Sequence, residues 1–157
     1  MDQHRCVFVV ESDPETTGAL VAYLRAEGFI PCMFTDGRVA VAAVRNDTPA
    51  AVIVDIGWLG IRGVTICDAV RNESAVPILL LTGCIEEVEM LRRIDCRVDG
   101  YVCKPFGPRE VIAQLQEVIR RARERTSCTA EATGRSFVNP LGPPPHRQHT
   151  RRVMQRV

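Results

Sequence analysis

Five side chains stand out as a set able to do chemistry together: Glu11, Asp13, Asp55, Thr82 and Lys104. They are spread over residues 11 to 104, yet each follows closely on an apolar run of strand length. Grouped carboxylate oxygens suit a hard divalent cation such as magnesium, Mg2+, which neutralises charge while a phosphoryl group transfers. Asp55 closes the run Ala51-Val-Ile-Val and is the candidate nucleophile, because a carboxylate can accept a phosphoryl group as an aspartyl phosphate. Thr82 is placed to hydrogen-bond a phosphoryl oxygen, and Lys104 to pair with another as a compact point charge. Lys104 is also the only lysine among 20 lysines and arginines, so the chain uses an ammonium here and a guanidinium everywhere else.

These residues can meet only if a sheet gathers them. Between Cys6 and Arg123 apolar runs alternate with segments of helical period, the pattern of βαβ units and a parallel sheet. Strands are expected at 6–10, 30–34, 51–55, 77–81 and 101–103. Asp13 reads as the N-cap and Pro14 as the first residue of a helix that Gly28 stops. Further helices are expected over 37–46, over about 65–72 after a glycine-rich loop (Gly57, Gly60, Gly63), over about 86–94, and from Pro108 to about Arg123. Continuously apolar strands imply helices on both faces, and right-handed crossovers leave a few doubly wound α/β orders. Function in such sheets sits beyond the carboxyl ends of the strands, where all five residues fall.

The blocks Val-Val-Glu11-Ser-Asp13, Val-Asp55 followed by Gly60 and Gly63, Leu-Leu-Thr82-Gly and Tyr101-Val-Cys-Lys104-Pro-Phe106 resemble the signatures of two-component response-regulator receiver domains. The stretch from Cys84 through Val111 is similar to the OmpR/PhoB subfamily, most closely its BaeR-type envelope-stress members. The resemblance implies a flavodoxin-like receiver (βα)5 fold, a doubly wound five-stranded parallel sheet in the order 2-1-3-4-5. It implies that Asp55 is the phosphoacceptor, that Glu11, Asp13, Asp55 and the carbonyl of Gly57 hold Mg2+, and that Thr82 with Tyr101 forms the switch. The implied partners are a histidine kinase or phosphotransfer protein, and a downstream protein or second copy docking on the fourth helix, fifth strand and fifth helix. Beyond self-phosphorylation and autodephosphorylation, no enzymatic activity is expected.

Departures from the family pattern bear on both functions. Ser12 stands where a second acid usually touches the metal, and a hydroxyl is a weaker, uncharged ligand. Leu59 and Arg62 replace a common proline and a common loop acid. Met90, Gly100 and Gln114 replace charges of the dimer face, while Glu110 and Arg121 remain. The alternative is therefore a degenerate receiver that works as a phosphorylation-independent interaction module.

Composition sets the remaining expectations. No apolar run approaches the roughly 20 residues of a membrane helix, so no membrane association and a cytoplasmic location are expected. Seven scattered cysteines without a Cys-x-x-Cys pair signal neither a disulfide framework nor a zinc site. Residues 1–119 carry a net charge of −6 and residues 120–157 one of +7. One receiver domain over 1–123 and a basic, proline-rich tail over 124–157, disordered from about Thr126, are expected. The 34 residues after Arg123 are too few for a winged-helix effector of ~100 residues, so sequence-specific DNA binding is not expected.

Overall fold

The computed structural model describes residues 3–11, 13–56, 61–83, 85–93 and 97–134. A 3-10 turn, Gln3–Arg5, leads into β1 (Cys6–Val10), followed by α1 (Pro14–Ala26), β2 (Ile30–Phe34), α2 (Gly37–Asn46) and β3 (Ala51–Asp55). Then come α3 (Ile61–Glu73), β4 (Ile78–Thr82), α4 (Ile85–Arg93), β5 (Gly100–Cys103) and α5 (Pro108–Gly134). The five strands are parallel in the order β2-β1-β3-β4-β5, the doubly wound order that the resemblance implies.

Burial explains why the three central strands are apolar at every position: β1, β3 and β4 are buried from end to end. Their side chains alternate between two cores. Phe8, Val10, Val52, Val54, Ile78 and Leu80 pack with Ala40 and Val44 of α2 and with Cys67 and Val70 of α3. Val7, Val9, Ile53, Leu79 and Leu81 pack with Leu20 and Leu24 of α1 and with Val111, Leu115 and Val118 of α5. Each such side chain contributes about 2 kcal/mol on burial. A one-residue slip would carry every one of them to the wrong face, which fixes the register.

Local signals hold at α1. Asp13 caps it, accepting from the Thr16 backbone N–H at 2.9 Å and from the Thr16 hydroxyl at 2.6 Å, with Pro14 in the first turn. Gly28 takes φ +80°, a left-handed conformation that favours glycine, and lets Phe29 N–H reach back to the Leu24 carbonyl at 2.9 Å.

Several expected boundaries differ, and three have an identifiable cause. β4 is Ile78–Thr82, one residue later than expected, because Pro77 has no N–H to give a ladder. α3 begins by Ile61 rather than near Thr65: Gly63 is no loop residue but lies inside the helix against Ile56, where a Cβ would overlap the Ile56 side chain. The largest difference is α5, which runs without a break past Arg123 and Thr126 to Gly134. Polar residues sustain it. Arg120 bridges Glu117 at 2.7 Å and Glu124 at 2.5 Å. Thr126 and Ser127 hydroxyls donate to carbonyls one turn back, and Arg125 reaches a partner on the body, Asp99, at 2.8 Å. The Arg120 and Arg121 guanidinium groups hold the Glu117 carboxyl down at about 2. The rest of the expected tail, 135–157, lies outside the described residues. Among the described residues, no helix is long and apolar enough to cross a membrane.

Asp99 precedes β5 and ties this end of the sheet together. Its Oδ2 accepts from Arg71 of α3 at 2.7 Å and from the Ile78 N–H at 2.8 Å, and its Oδ1 accepts from Arg125 of α5. Burial alone would push its carboxyl up, but the Ile78 N–H and the two guanidinium groups outweigh that and hold it below its ordinary value. Arg71 also donates to the carbonyls of Arg97 and Val76.

Candidate functional site

Register alone assembles the opposite, carboxyl edge. β1 pairs Val10 with Val54 of β3, so the next residues, Glu11 and Asp55, end neighbouring strands. β3 pairs Asp55 with Leu81, which puts Thr82 one step beyond, and β4 pairs Thr82 with Cys103, which puts Lys104 next on β5. Glu11, Asp55 and Thr82 are all buried, and carboxylates are almost never fully buried unless paired.

The charges are arranged around Asp55. Its Oδ2 is ion-paired with the Lys104 ammonium, whose side chain is 31% exposed while that of Asp55 is fully buried. Lys104 is held in place by its own N–H, which donates to the Thr82 carbonyl at 2.7 Å. Glu11 accepts the Asp13 backbone N–H at 2.8 Å, and its own N–H donates to the Phe34 carbonyl of β2. Two buried carboxylates and one ammonium therefore share the edge. That imbalance leaves room for one more cation.

Asp13 departs from the role the resemblance implies. Its Oδ2 is committed to Thr16 as the helix cap, and those two bonds, helped by the nearby Lys104 ammonium, hold its carboxyl below the usual range. Among the described residues no three His, Cys, Asp or Glu side chains are grouped closely enough to hold a metal. Glu11 and Asp55 still form an all-oxygen donor pair of the kind a hard cation takes, so the residues present fit Mg2+ as a partial set. Ser12 and Gly57 lie outside the described residues, as do Leu59 and Gly60, and the side chain of Met90 is not described either.

Thr82 is at the site, but its hydroxyl is engaged elsewhere. It donates to Oε2 of Glu87, in the first turn of α4, at 2.5 Å, and the Gly83 N–H donates to the same oxygen at 3.2 Å. Glu87 is the residue that the sequence motifs miss. The available signal was an acid in the first turn of a helix, where the macrodipole favours negative charge. Tyr101 is 39% exposed on β5 and lines a cleft between α4 and α5 with Gly100, Glu110, Gln114 and Arg121.

The arrangement defines a doubly wound α/β domain with an acidic strand-end centre and one lysine poised on it. Residues 7–116 match the response regulator receiver domain family. The chain is 33% identical over 117 residues to the transcriptional regulatory protein BaeR of Escherichia coli O6:H1, covering 74% of this chain and 49% of that protein. It is 36% identical over 115 residues to the DNA-binding response regulator MtrA of Mycolicibacterium smegmatis, covering 73% and 50%. The chain thus spans about half the length of the curated relatives it matches. Among solved structures, the receiver domain of the sensor histidine kinase PA1611 of Pseudomonas aeruginosa superposes with a TM-score of 0.61 at 25% identity, over 73% of this chain and 97% of that one; its structure has a magnesium ion in the active-site cleft. This chain belongs to the response-regulator receiver domain family, and its relatives are OmpR/PhoB-type regulators. The family is a signalling one, whose receiver domains act as phosphoacceptor switches in two-component systems.

Proposed function

We propose that Asp55 is the phosphoacceptor, taking a phosphoryl group from a histidine kinase, a phosphotransfer protein or a small acyl phosphate. The observation that carries this is the buried Asp55 carboxylate, set at a strand end and ion-paired with the chain's only lysine. A carboxylate oxygen of Asp55 attacks phosphorus, and the bond to the donor's nitrogen or oxygen breaks with its electron pair leaving on the donor. Lys104 then follows the charge from the carboxylate to a phosphoryl oxygen. Mg2+, held by Glu11 and Asp55 with the Gly57 carbonyl, would supply charge neutralisation at the transferring group. Asp13 would contribute only by leaving Thr16, and with Ser12 beside it the metal affinity is weaker than two flanking acids would give.

Incubation of the full chain with acetyl phosphate and Mg2+, followed by intact mass, tests the reading. One phosphoryl adduct is expected, and none after Asp55→Asn. An adduct that survives the substitution assigns the acceptor elsewhere. No adduct on either protein favours the second reading, a phosphorylation-independent interaction module, for which the capture of Asp13 by Thr16 is the supporting observation.

The switch follows from the proton that Thr82 shares. A hydroxyl has one proton to donate, and Glu87 and a phosphoryl oxygen on Asp55 are rival anionic acceptors. Phosphorylation would draw Thr82 off Glu87, freeing the first turn of α4 and the α4–β5–α5 face for a downstream protein or a second copy. A charge-assisted bond of this kind is worth about 1.5 kcal/mol net, so Glu87→Ala is expected to tighten binding of the phosphoryl mimic beryllofluoride roughly tenfold. Titration of the mimic by NMR checks this, and unchanged affinity would show that Glu87 does not compete.

A further inference from the structure

Cys6 opens β1, Cys32 is the middle residue of β2, and their sulfurs lie 3.0 Å apart. Both are free thiols. The register sets Cys6 against Ile30 and Phe8 against Cys32, so the two cysteines are diagonal neighbours. The same diagonal stacks Phe8 on Phe34, with ring centroids 4.8 Å apart. The juxtaposition is thus a property of how these two strands slant past each other, repeated one pair further along, and not of a single rotamer.

A disulfide needs its sulfurs at about 2.05 Å, so closure asks for an approach of about 1 Å beyond what the structure shows. The strand pair can supply it. β2 is an edge strand whose single ladder is with β1, and its burial is only partial. Access is asymmetric as well: Cys32 is half-buried, whereas Cys6 is 9% exposed. Burial first, then the Cys32 sulfur and the Asp47 carboxylate, push the Cys6 thiol up to about 12, so Cys6 keeps its proton. It is available as the donor in the contact between the sulfurs, and Cys32 is the partner an oxidant meets.

We propose that Cys6 and Cys32 form an oxidation site, closing to an intrachain disulfide on reaction with hydrogen peroxide. Cys32 gives its proton to solvent and its sulfur attacks a peroxide oxygen. The O–O bond breaks, the leaving hydroxide takes up a proton as water, and Cys32 becomes a sulfenic acid. The Cys6 sulfur then attacks the Cys32 sulfur, the S–O bond breaks, and the hydroxyl departs with the Cys6 proton as a second water. Two thiols are oxidised by two electrons and one peroxide is reduced to two waters. The site is chemically separate from Asp55, which lies at the other end of the sheet.

The test uses the full chain treated with hydrogen peroxide, blocked with iodoacetamide and digested with trypsin, which can cut at Arg25 between the two cysteines. The expected product joins the Cys6 and Cys32 peptides at a mass about 2 Da below their sum, and dithiothreitol releases them. In Cys6→Ser the sulfenic acid on Cys32 has no partner, and dimedone is expected to trap it. Recovery of alkylated Cys6 beside a sulfinic or sulfonic Cys32 in the unsubstituted chain would overturn the proposal, as would Cys6 or Cys32 joined to any other cysteine. The unsubstituted chain decides the matter whether or not the serine variant folds.

Discussion

Replacing Lys104 with methionine is expected to lower the unfolding free energy by about 3 kcal/mol at neutral pH, because it strands a buried carboxylate without its counter-charge. Asp55 and Glu11 would then face each other across neighbouring strand ends with no described cation on Asp55. Adding Asp55→Asn should restore most of the loss, since an amide in that pocket needs no ammonium. The double-mutant cycle is therefore strongly non-additive, and additivity within about 0.5 kcal/mol would show that the ion pair does not contribute to stability. The same substitution removes the one ammonium that can follow charge onto the transferring group. Phosphoryl uptake from acetyl phosphate should slow on the order of a hundredfold, the usual cost of losing one stabilising donor in a catalytic site.

Asp99→Asn should cost about 3 kcal/mol by a different route. The carboxylate receives Arg71, Arg125 and the Ile78 N–H, and an amide can satisfy at most part of that set while leaving Arg71 partly buried and uncompensated. Its pH dependence has a definite sign. The folded pKa lies below the ordinary carboxylate value of about 3.9, so the stabilisation is complete above that value and is lost as pH falls through the lowered folded pKa. Urea unfolding across that acid range should show a pH slope in the parent chain that is shallower in Asp99→Asn; equal slopes would mean that Asp99 is not the group responsible.

What could be read from the sequence was what depends on neighbours in the chain. Asp13 before Pro14, Gly28 after the last helical turn and the unbroken apolar run before Asp55 each carry their own local cause, and each is where it was expected. Strand-end logic brought Glu11, Asp55, Thr82 and Lys104 together without any knowledge of distances. Glu87 was not legible, because its importance depends on which way a hydroxyl points. Asp99 read as one more acid in a connecting segment, since its two arginines come from helices on either side of it in the chain. The outer turns of α5 were misjudged for a related reason. A stretch with little to bury gives no hydrophobic signal, yet pairs of Arg and Glu one turn apart and back-bonded hydroxyls keep a helix going.

The two charged centres, one at each end of the sheet, also differ in sign. At the Asp55 end two buried carboxylates share a single ammonium, whereas at the Asp99 end one carboxylate is held between two guanidinium groups. The strands between them are apolar throughout, so little inside screens one end from the other. These two centres therefore set side-chain charge of opposite sign at the two ends of the sheet. Charge of that kind is expected to steer approaching cations and basic surfaces toward the Asp55 end. At ionic strengths where the Debye length falls to about 8 Å, that long-range guidance fades while the buried pairs persist. Salt should thus act on how fast partners arrive, and far less on how firmly each end of the sheet holds together.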